Sequence, residues 1–410
     1  MSTTLLLNSI NDIGYVASQV SYRRILGNNR VAGQSTEAFM TDIWRTAGTL
    51  TNLCINITAN DRAASTFRTR KGTANANILV DITGSTTGKF EDITNSDVVS
   101  AGDDWHAVIT IGSGGSVFSA WASSILFAAN TNTVHRIGGS PSGTAINLAS
   151  VTNPGSLYGN GDWQSGAADS LVGETVRTSG TLKNLYVYVS ANARTTTTTF
   201  KSRVNSAAGA LTLDVTAGAT GSFEDTANTD TISSGDLINW AATTGTGTQS
   251  LTARIVAVDF ITTNGNFQFV NGTPGGTAQA AGVTTYYSIA GTLSTSTTEA
   301  NTALETNLIF TASKLQCNIS ANTIVLNSTL KSRKNSGAGN QTVDITALTT
   351  GIFQDASNSD TYIATDTADY QVVTPSTATS ITIRSISMLA NSTVSSGVTK
   401  TQAMCLMGIQ

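Results

Sequence analysis

The chain has 410 residues, room for two to four domains of ordinary size. Only 12% of it is charged and 6% aromatic, the formal net charge is −4, and Thr, Ser, Ala, Asn and Gly dominate. That makeup excludes a charged, Pro-rich disordered chain and leaves no basic footprint for nucleic acid; it suits an extracellular or virion β protein with Thr on the wet face of its strands.

Residues 1–21 form a short lead-in. Leu6, Ile10 and Ile13 are spaced for a turn or two of helix, but Asn11 to Gly14 break it, so the stretch reads as a docking arm or a covering strand. It lacks a basic start, and its apolar run Leu5–Leu7 stops at Asn8, so no secretory signal is expected. No window approaches the ~18 apolar residues of a membrane helix. The expectation is a protein assembled in a host cytoplasm without a signal peptide and without a membrane partner.

From Tyr22 a unit begins that recurs three times. Each copy opens on a half-buried alternating strand: Leu53, Ile55 and Ile57; Leu185, Val187 and Val189; and the run from Cys317 to Asn322. A strand ending in arginine follows, with Phe67 and Arg70, Phe200 and Arg203, Leu330 and Arg333. The next alternating strands are 78–83, 211–216 and 341–346, each closed by a Gly turn. Then come Phe90-Glu91-Asp92, Phe223-Glu224-Asp225 and Phe353-Gln354-Asp355, followed by Asn95 to Asp97, Asn228 to Asp230 and Asn358 to Asp360. A strongly apolar strand ends each copy, at 124–127, 255–260 and 381–388. Phe90 to Phe223 is 133 residues and Phe223 to Phe353 is 130, and Arg70, Arg203 and Arg333 repeat both spacings. Periods this long mark whole domains. The expected fold class is all-β: three tandem antiparallel jelly-roll sandwiches, with the N-terminal arm at 1–21 and domains at 22–130, 131–262 and 263–410.

The segments 180–192, 199–205, 215–221 and 228–238 together resemble the tumour necrosis factor/complement globular-head-like jelly rolls of bacteriophage virion proteins and spore-surface collagen-like glycoproteins. The third copy departs locally, with Gln354 for Glu and Thr365-Asp366 for Gly-Asp. Relatives of that kind trimerise, so the resemblance implies that one chain builds a pseudo-trimer by itself, and the connections at 128–175 and 261–307 are long enough to allow it. Beads on a string are the alternative.

Little in the chain is organised for chemistry. His106 and His135 are the only histidines, both in the first third and neither repeated, and no hydrolase triad can be placed on them. Zinc spacing and a phosphate loop are missing, so no catalytic, cofactor-binding or metal residue is assigned and the chain is not read as an enzyme. The acidic sets Glu91, Asp92, Asn95, Asp97; Glu224, Asp225, Asn228, Asp230; and Asp355, Asn358, Asp360 offer hard oxygen donors, but they lack a calcium loop's Gly and terminal Glu and read as Asx loops bonding their own backbone. Arg70, Arg203 and Arg333, with Lys71, Lys201 and Lys331, suit an anionic partner, but read rather as a solvated strand face or as partners of the Asp of the same repeat. Cys54, Cys317 and Cys405 form no disulfide framework and read as core residues. Gly102-Asp103 and Gly235-Asp236 read as turns.

The function expected is that of a virion structural protein, a bacteriophage capsid decoration (cement) or other minor head or tail component that contacts capsid proteins and other copies of itself. A receptor- or carbohydrate-binding fibre module is the first alternative, with a host surface glycan held by exposed Tyr158, Trp163, Tyr286 or Tyr287 at loop tips. A bacterial surface or filament protein is the second.

Overall fold

The computed structural model describes residues 3–25, 27–28, 34–130, 133–139, 145–146, 149–158, 168–289, 291, 295–375 and 379–392. They form an all-β chain of three two-sheet sandwiches. The first is built from β1 (Thr3–Gly14), β2 (Val20–Arg23), β3 (Gly27–Asn28), β4 (Asp42–Ile43), β5 (Gly48–Asn60), β6 (Ser65–Lys71), β7 (Ala74–Ile82), β8 (Gly88–Val99), β9 (Asp104–Thr110) and β10 (Phe118–Ala129). One sheet runs β3-β1-β10-β5-β8, and the other runs β2-β9-β6-β7 with β4 also on β9. The N-terminal stretch is therefore no free arm. It is β1, hydrogen-bonded antiparallel along β10 from Thr3↔Ala128 to Gly14↔Ser119.

The second sandwich comprises β11 (Thr133–Gly139), β12 (Thr152–Gly155), β13 (Glu174–Thr175), β14 (Gly180–Asn192), β15 (Thr198–Val204), β16 (Ala207–Val215), β17 (Gly221–Ile232), β18 (Leu237–Thr244) and β19 (Leu251–Thr262), in sheets β11-β19-β14-β17 and β12-β18-β15-β16 with β13 on β18. The third comprises β20 (Asn266–Ala280), β21 (Thr284–Ser288), the single turn α1 (Glu299–Thr302), β22 (Leu304–Glu305), β23 (Phe310–Asn322), β24 (Ser328–Lys334), β25 (Gly337–Ile345), β26 (Gly351–Gln354), β27 (Ser359–Tyr362), β28 (Thr367–Val373) and β29 (Ser380–Asn391). Its sheets are β20-β29-β23-β26 with β27 on β23, and β21-β28-β24-β25 with β22 on β28. In all three the first long strand pairs with the last, and the second pairs with the one before last.

The long central strand of each sandwich carries the same defect. Asn52, Asn184 and Lys314 have positive φ (53°, 58° and 55°), and the pairing register slips at each of them. This is a β-bulge, which reverses the phase of the alternation and turns Leu50 and Leu53, three apart, to one core. Around that strand the core follows the alternation: Leu50, Ile55, Ile57, Phe67 and Trp105 are buried in the first sandwich, and Leu182, Val187, Phe200 and Trp240 in the second.

Packing also explains where the third copy departs from the other two. A Cβ on Gly48 would overlap the Phe127 ring, and one on Gly180 the Phe260 ring. The residue four before the bulge in the third copy is Phe310, and Ala390, paired with Ala312 two residues along, stands where the others carry Phe127, paired with Leu50, and Phe260, paired with Leu182. Large and small exchange sides, so the core volume is kept. Cys54 and Cys317, placed at similar points by sequence, differ by one step in this register: Cys54 is two after its bulge and Cys317 three after. They therefore point to opposite faces, and both are buried. Cys405 lies outside the described residues.

Candidate functional site

Asp92 takes hydrogen bonds on Oδ1 from the Thr94 and Asn95 amides (both 3.0 Å) and on Oδ2 from the Leu79 amide and Asn95 Nδ2 (both 2.8 Å). Asp225 does the same with Ala227, Asn228 and Thr212, and Asp355 with Ser357, Asn358 and Thr342. Burial works against these charges, but the hydrogen bonds outweigh it and hold all three carboxyls below their usual range. The second acid of each set is equally engaged: Asp97 accepts from Thr69 and the Asn77 amide, Asp230 from Ser202 and the Ala210 amide, and Asp360 from Ser332 and the Asn340 amide. Their oxygens tie β7, β16 and β25 to the neighbouring strand, and no group of three His, Cys, Asp or Glu suited to a metal lies among the described residues. The Gly-Asp turns are caps: Asp103 and Asp236 accept from the Ser100 and Ser233 amides, and Asp366 caps the third turn with Thr365 in place of glycine.

The repeated arginines pair within their own sandwiches. Arg70 binds Glu37 (2.6 Å), Arg203 binds Asp169 (2.8 Å) and Arg333 binds Glu299 (2.8 Å). Each acid sits fifteen residues before its bulge, a repeated position the sequence motifs did not reveal. Across the sheet from the three arginines stand His106, Asn239 and Asp369. His106 Nε2 is 2.7 Å from Glu37, and Asn239 Nδ2 donates to Asp169 at 2.8 Å. Burial lowers the pKa of His106 against the pull of Glu37. Of the aromatics proposed as a glycan platform, Tyr158 and Tyr287 are buried, at 6% and 0% exposure. Tyr286 lies under Arg333, 5.8 Å from its guanidinium carbon. Trp163 lies outside the described residues.

The most heavily built polar features are the seams between sandwiches. From the first, Asp42 on β4 reaches into the second and is bound by Arg136 Nη2 (2.6 Å) and by Arg24 of its own sandwich (3.0 Å); Arg136 also binds Asp259 (2.7 Å). All four side chains are buried. Burial opposes ionisation of Asp42, but the two guanidiniums overcome it and hold the carboxyl below its ordinary range. Around it Ile43 packs on Tyr186, Ile255 and Ala257, and Arg45 pairs with Glu224.

From the second sandwich, Glu174 enters the third in the same way. It stands ten residues before its bulge, as Asp42 does. Its carboxylate accepts from Ser387 (2.7 Å), Ser385 (2.8 Å), Gln316 (2.9 Å) and Gln268 (3.3 Å). Here burial outweighs both the neutral donors and the charge of Arg177, and its pKa is raised. From the third sandwich, the residue at that position is Leu304, which reaches the first and joins one apolar cluster with Trp121, Ala122 and Leu126. Beside it Glu305 pairs with Lys89, and Asn56 donates to the carbonyls of Ala300 and Asn301 (both 3.4 Å).

The contacts run first to second, second to third and third to first, each using one patch against a different one. That is a heterologous interface closed into a ring of three. The first strands meet along its middle: Thr4 Oγ1 donates to the Val134 carbonyl (3.1 Å), and the ring of His135 stacks on Phe267 at 5.7 Å. His135 is half-buried there, and desolvation of its ring lowers its pKa to about 4. Ser392 Oγ donates to the Thr3 carbonyl, which brings the two ends of the described chain together.

No family model matches the chain, and no curated protein matches it at a significant level.

Proposed function

We propose that this chain is a structural protein of a virion, a bacteriophage capsid decoration protein or another minor head or tail component, whose three units are jelly rolls of the tumour necrosis factor/complement head kind. The observation that carries the reading is the ring itself. One polypeptide supplies three sandwiches and locks them with buried seams, which yields a rigid block suited to load-bearing contacts. The strand order supports the jelly-roll assignment: the first strand lies beside the last in one sheet, the second beside the next-to-last in the other, with the middle strands completing each. The repeated acids and arginines are consumed in holding strands together, which suits a mechanical role.

Surface chemistry supports protein contacts. Val325, Leu326 and Leu348 of the third sandwich are 58%, 55% and 61% exposed. They sit on two loops joined by the Leu348 amide bonding the Ile324 carbonyl. Leu348 has φ of 58°, a costly conformation for leucine, where the second sandwich has Gly218.

The test is cryo-electron microscopy with mass spectrometry of particles from the source. Density for the three-sandwich block on a capsid or tail lattice, at a fixed copy number, is the expected outcome. A chain found only in soluble fractions, or binding host glycan with purified particles lacking it, would overturn the proposal.

A further inference from the structure

The third unit of the acid–arginine pattern breaks a rule kept by the other two. Where His106 and Asn239 offer a hydrogen to the acid, the third sandwich has Asp369, a second carboxyl, 2% exposed. The local cation is already committed: Arg333 holds Glu299 through Nε (2.8 Å) and Nη2 (2.9 Å). Thr302 Oγ1 donates to Asp369 Oδ2 at 3.0 Å.

Glu299 and Thr302 are the two ends of α1, and α1 with β22 is the part of the third sandwich that closes the ring on the first. We propose that Asp369 and Glu299 form a proton-operated latch on that seam: with Asp369 protonated α1 is held, and when Asp369 ionises two carboxylates face one arginine and α1 lets go of the first sandwich.

The surroundings fit such a device. Burial, then the charge of Glu299, raises Asp369 to about 8, against the pull of Thr302 and Arg333. The groups facing it are Glu299 and Thr302 on α1 and Arg333 on β24, with Tyr286 of β21 lying against Arg333. Tyr362 of β27 also feels its charge, its phenol being pushed well up mainly by burial. At the seam, burial works against the charge of Lys89, but Glu305 and Glu91 outweigh it and raise the amine. Burial lifts Cys54 to about 12. Lys89 and Cys54 therefore hold their charge states while Asp369 changes. The raised pKa means that the folded state holds a proton which the unfolded chain has lost above ~4, so stability falls as pH climbs from there to about 8 and then levels off.

Hydrogen–deuterium exchange of the whole chain from pH 6 to 9, corrected for intrinsic exchange, tests the latch. Segments 299–305 and 53–57 should lose protection in one step that runs upward from pH 6, by tenfold or more, and levels off above about pH 8. Asp369→Asn, which installs the second sandwich's residue, should remove the step. Glu299→Gln should remove it by a different route, since Arg333 is then free to pair with ionised Asp369. A wild-type profile without the step overturns the latch, as does either variant keeping it at the same pH. Should Asp369→Asn fail to fold, the Glu299→Gln profile alone decides.

Discussion

Asp42 of the first sandwich lies 2.6 Å from Nη2 of Arg136 in the second, both fully enclosed. Arg24 and Asp259 complete a buried chain of alternating charge in which every member depends on the others. Such a network adds little relative to an apolar seam, but breaking it leaves a buried charge without compensation.

Asp42→Asn should therefore destabilise the chain by about 3–5 kcal/mol, read as a lower midpoint in urea unfolding. The acid side is also predictable. A carboxyl whose folded pKa is depressed contributes stability above its unfolded value near ~3.9 and loses it as pH falls further. Wild type should weaken below pH ~4 more steeply than Asp42→Asn.

Glu174 occupies the same position in the next seam and behaves in the opposite way, because its cage is hydroxyls and amides in place of guanidiniums. A carboxyl raised by burial contributes most at low pH and loses that contribution as pH rises from ~4.3 through its folded value. Glu174→Gln keeps the shape, the serine hydroxyls and glutamine amides can reorient around it, and no charge needs burying. Its melting temperature should equal or exceed wild type at pH 8 and fall below it near pH 4. A variant less stable at both pH values would show that the carboxylate is needed for its charge.

At the third seam the position is Leu304, in one cluster with Trp121 and Leu126. Leu304→Ala should cost about 2–5 kcal/mol through lost burial and the cavity left behind. Trp121, 7% exposed, should become more accessible to a fluorescence quencher. An unchanged quenching constant would mean that the seam does not depend on this side chain.

These contrasts show what the sequence displayed and what it hid. Repeat spacing, strand alternation and turn glycines were legible because they are local and periodic. The seams were not: Asp42, Glu174 and Leu304 share a position but no chemistry, so no motif marks them. A weaker signal was present. The run Ile255 to Phe260 is apolar on both faces of a strand, as for a strand covered on both sides, with Asp259 inside it. Ile255 and Ala257 indeed face the first sandwich while Val256 and Val258 face their own core. The Asx segments were legible because Asp followed by Asn bonds its own backbone, but the structure carries those at Asp92 and Asp225 as register-shifted stretches inside β8 and β17 and has a loop only at Asp355, between β26 and β27; the acids that hold Arg70, Arg203 and Arg333 stand some 34 residues upstream in short helical turns, beyond local pattern.

The loops yield a metal prediction. The Asp92, Asp225 and Asp355 carboxylates already accept from amides at 2.8–3.1 Å on both oxygens. A calcium ion needs six to eight oxygen ligands and would have to break these bonds first. Melting temperature should be the same in millimolar calcium and in excess chelator. A shift of several degrees in calcium would show that the loops open to take the ion.

The closed ring makes the overall shape a test of the whole architecture. A compact chain of 410 residues has a radius of gyration of about 22 Å by the usual scaling for folded chains. Three sandwiches strung along their connections would give a much larger value and a long tail in the pair-distance distribution. Small-angle scattering of the monomer should give the compact value, because the three seams are intramolecular and do not weaken on dilution. Asp42→Asn combined with Leu304→Ala should then shift the profile toward the elongated form before the sandwiches themselves melt, since each keeps its own core of Leu, Ile, Val and aromatic side chains. A double variant that stays compact until it unfolds in one step would mean that the sandwiches cannot stand apart, and that the ring is the folding unit.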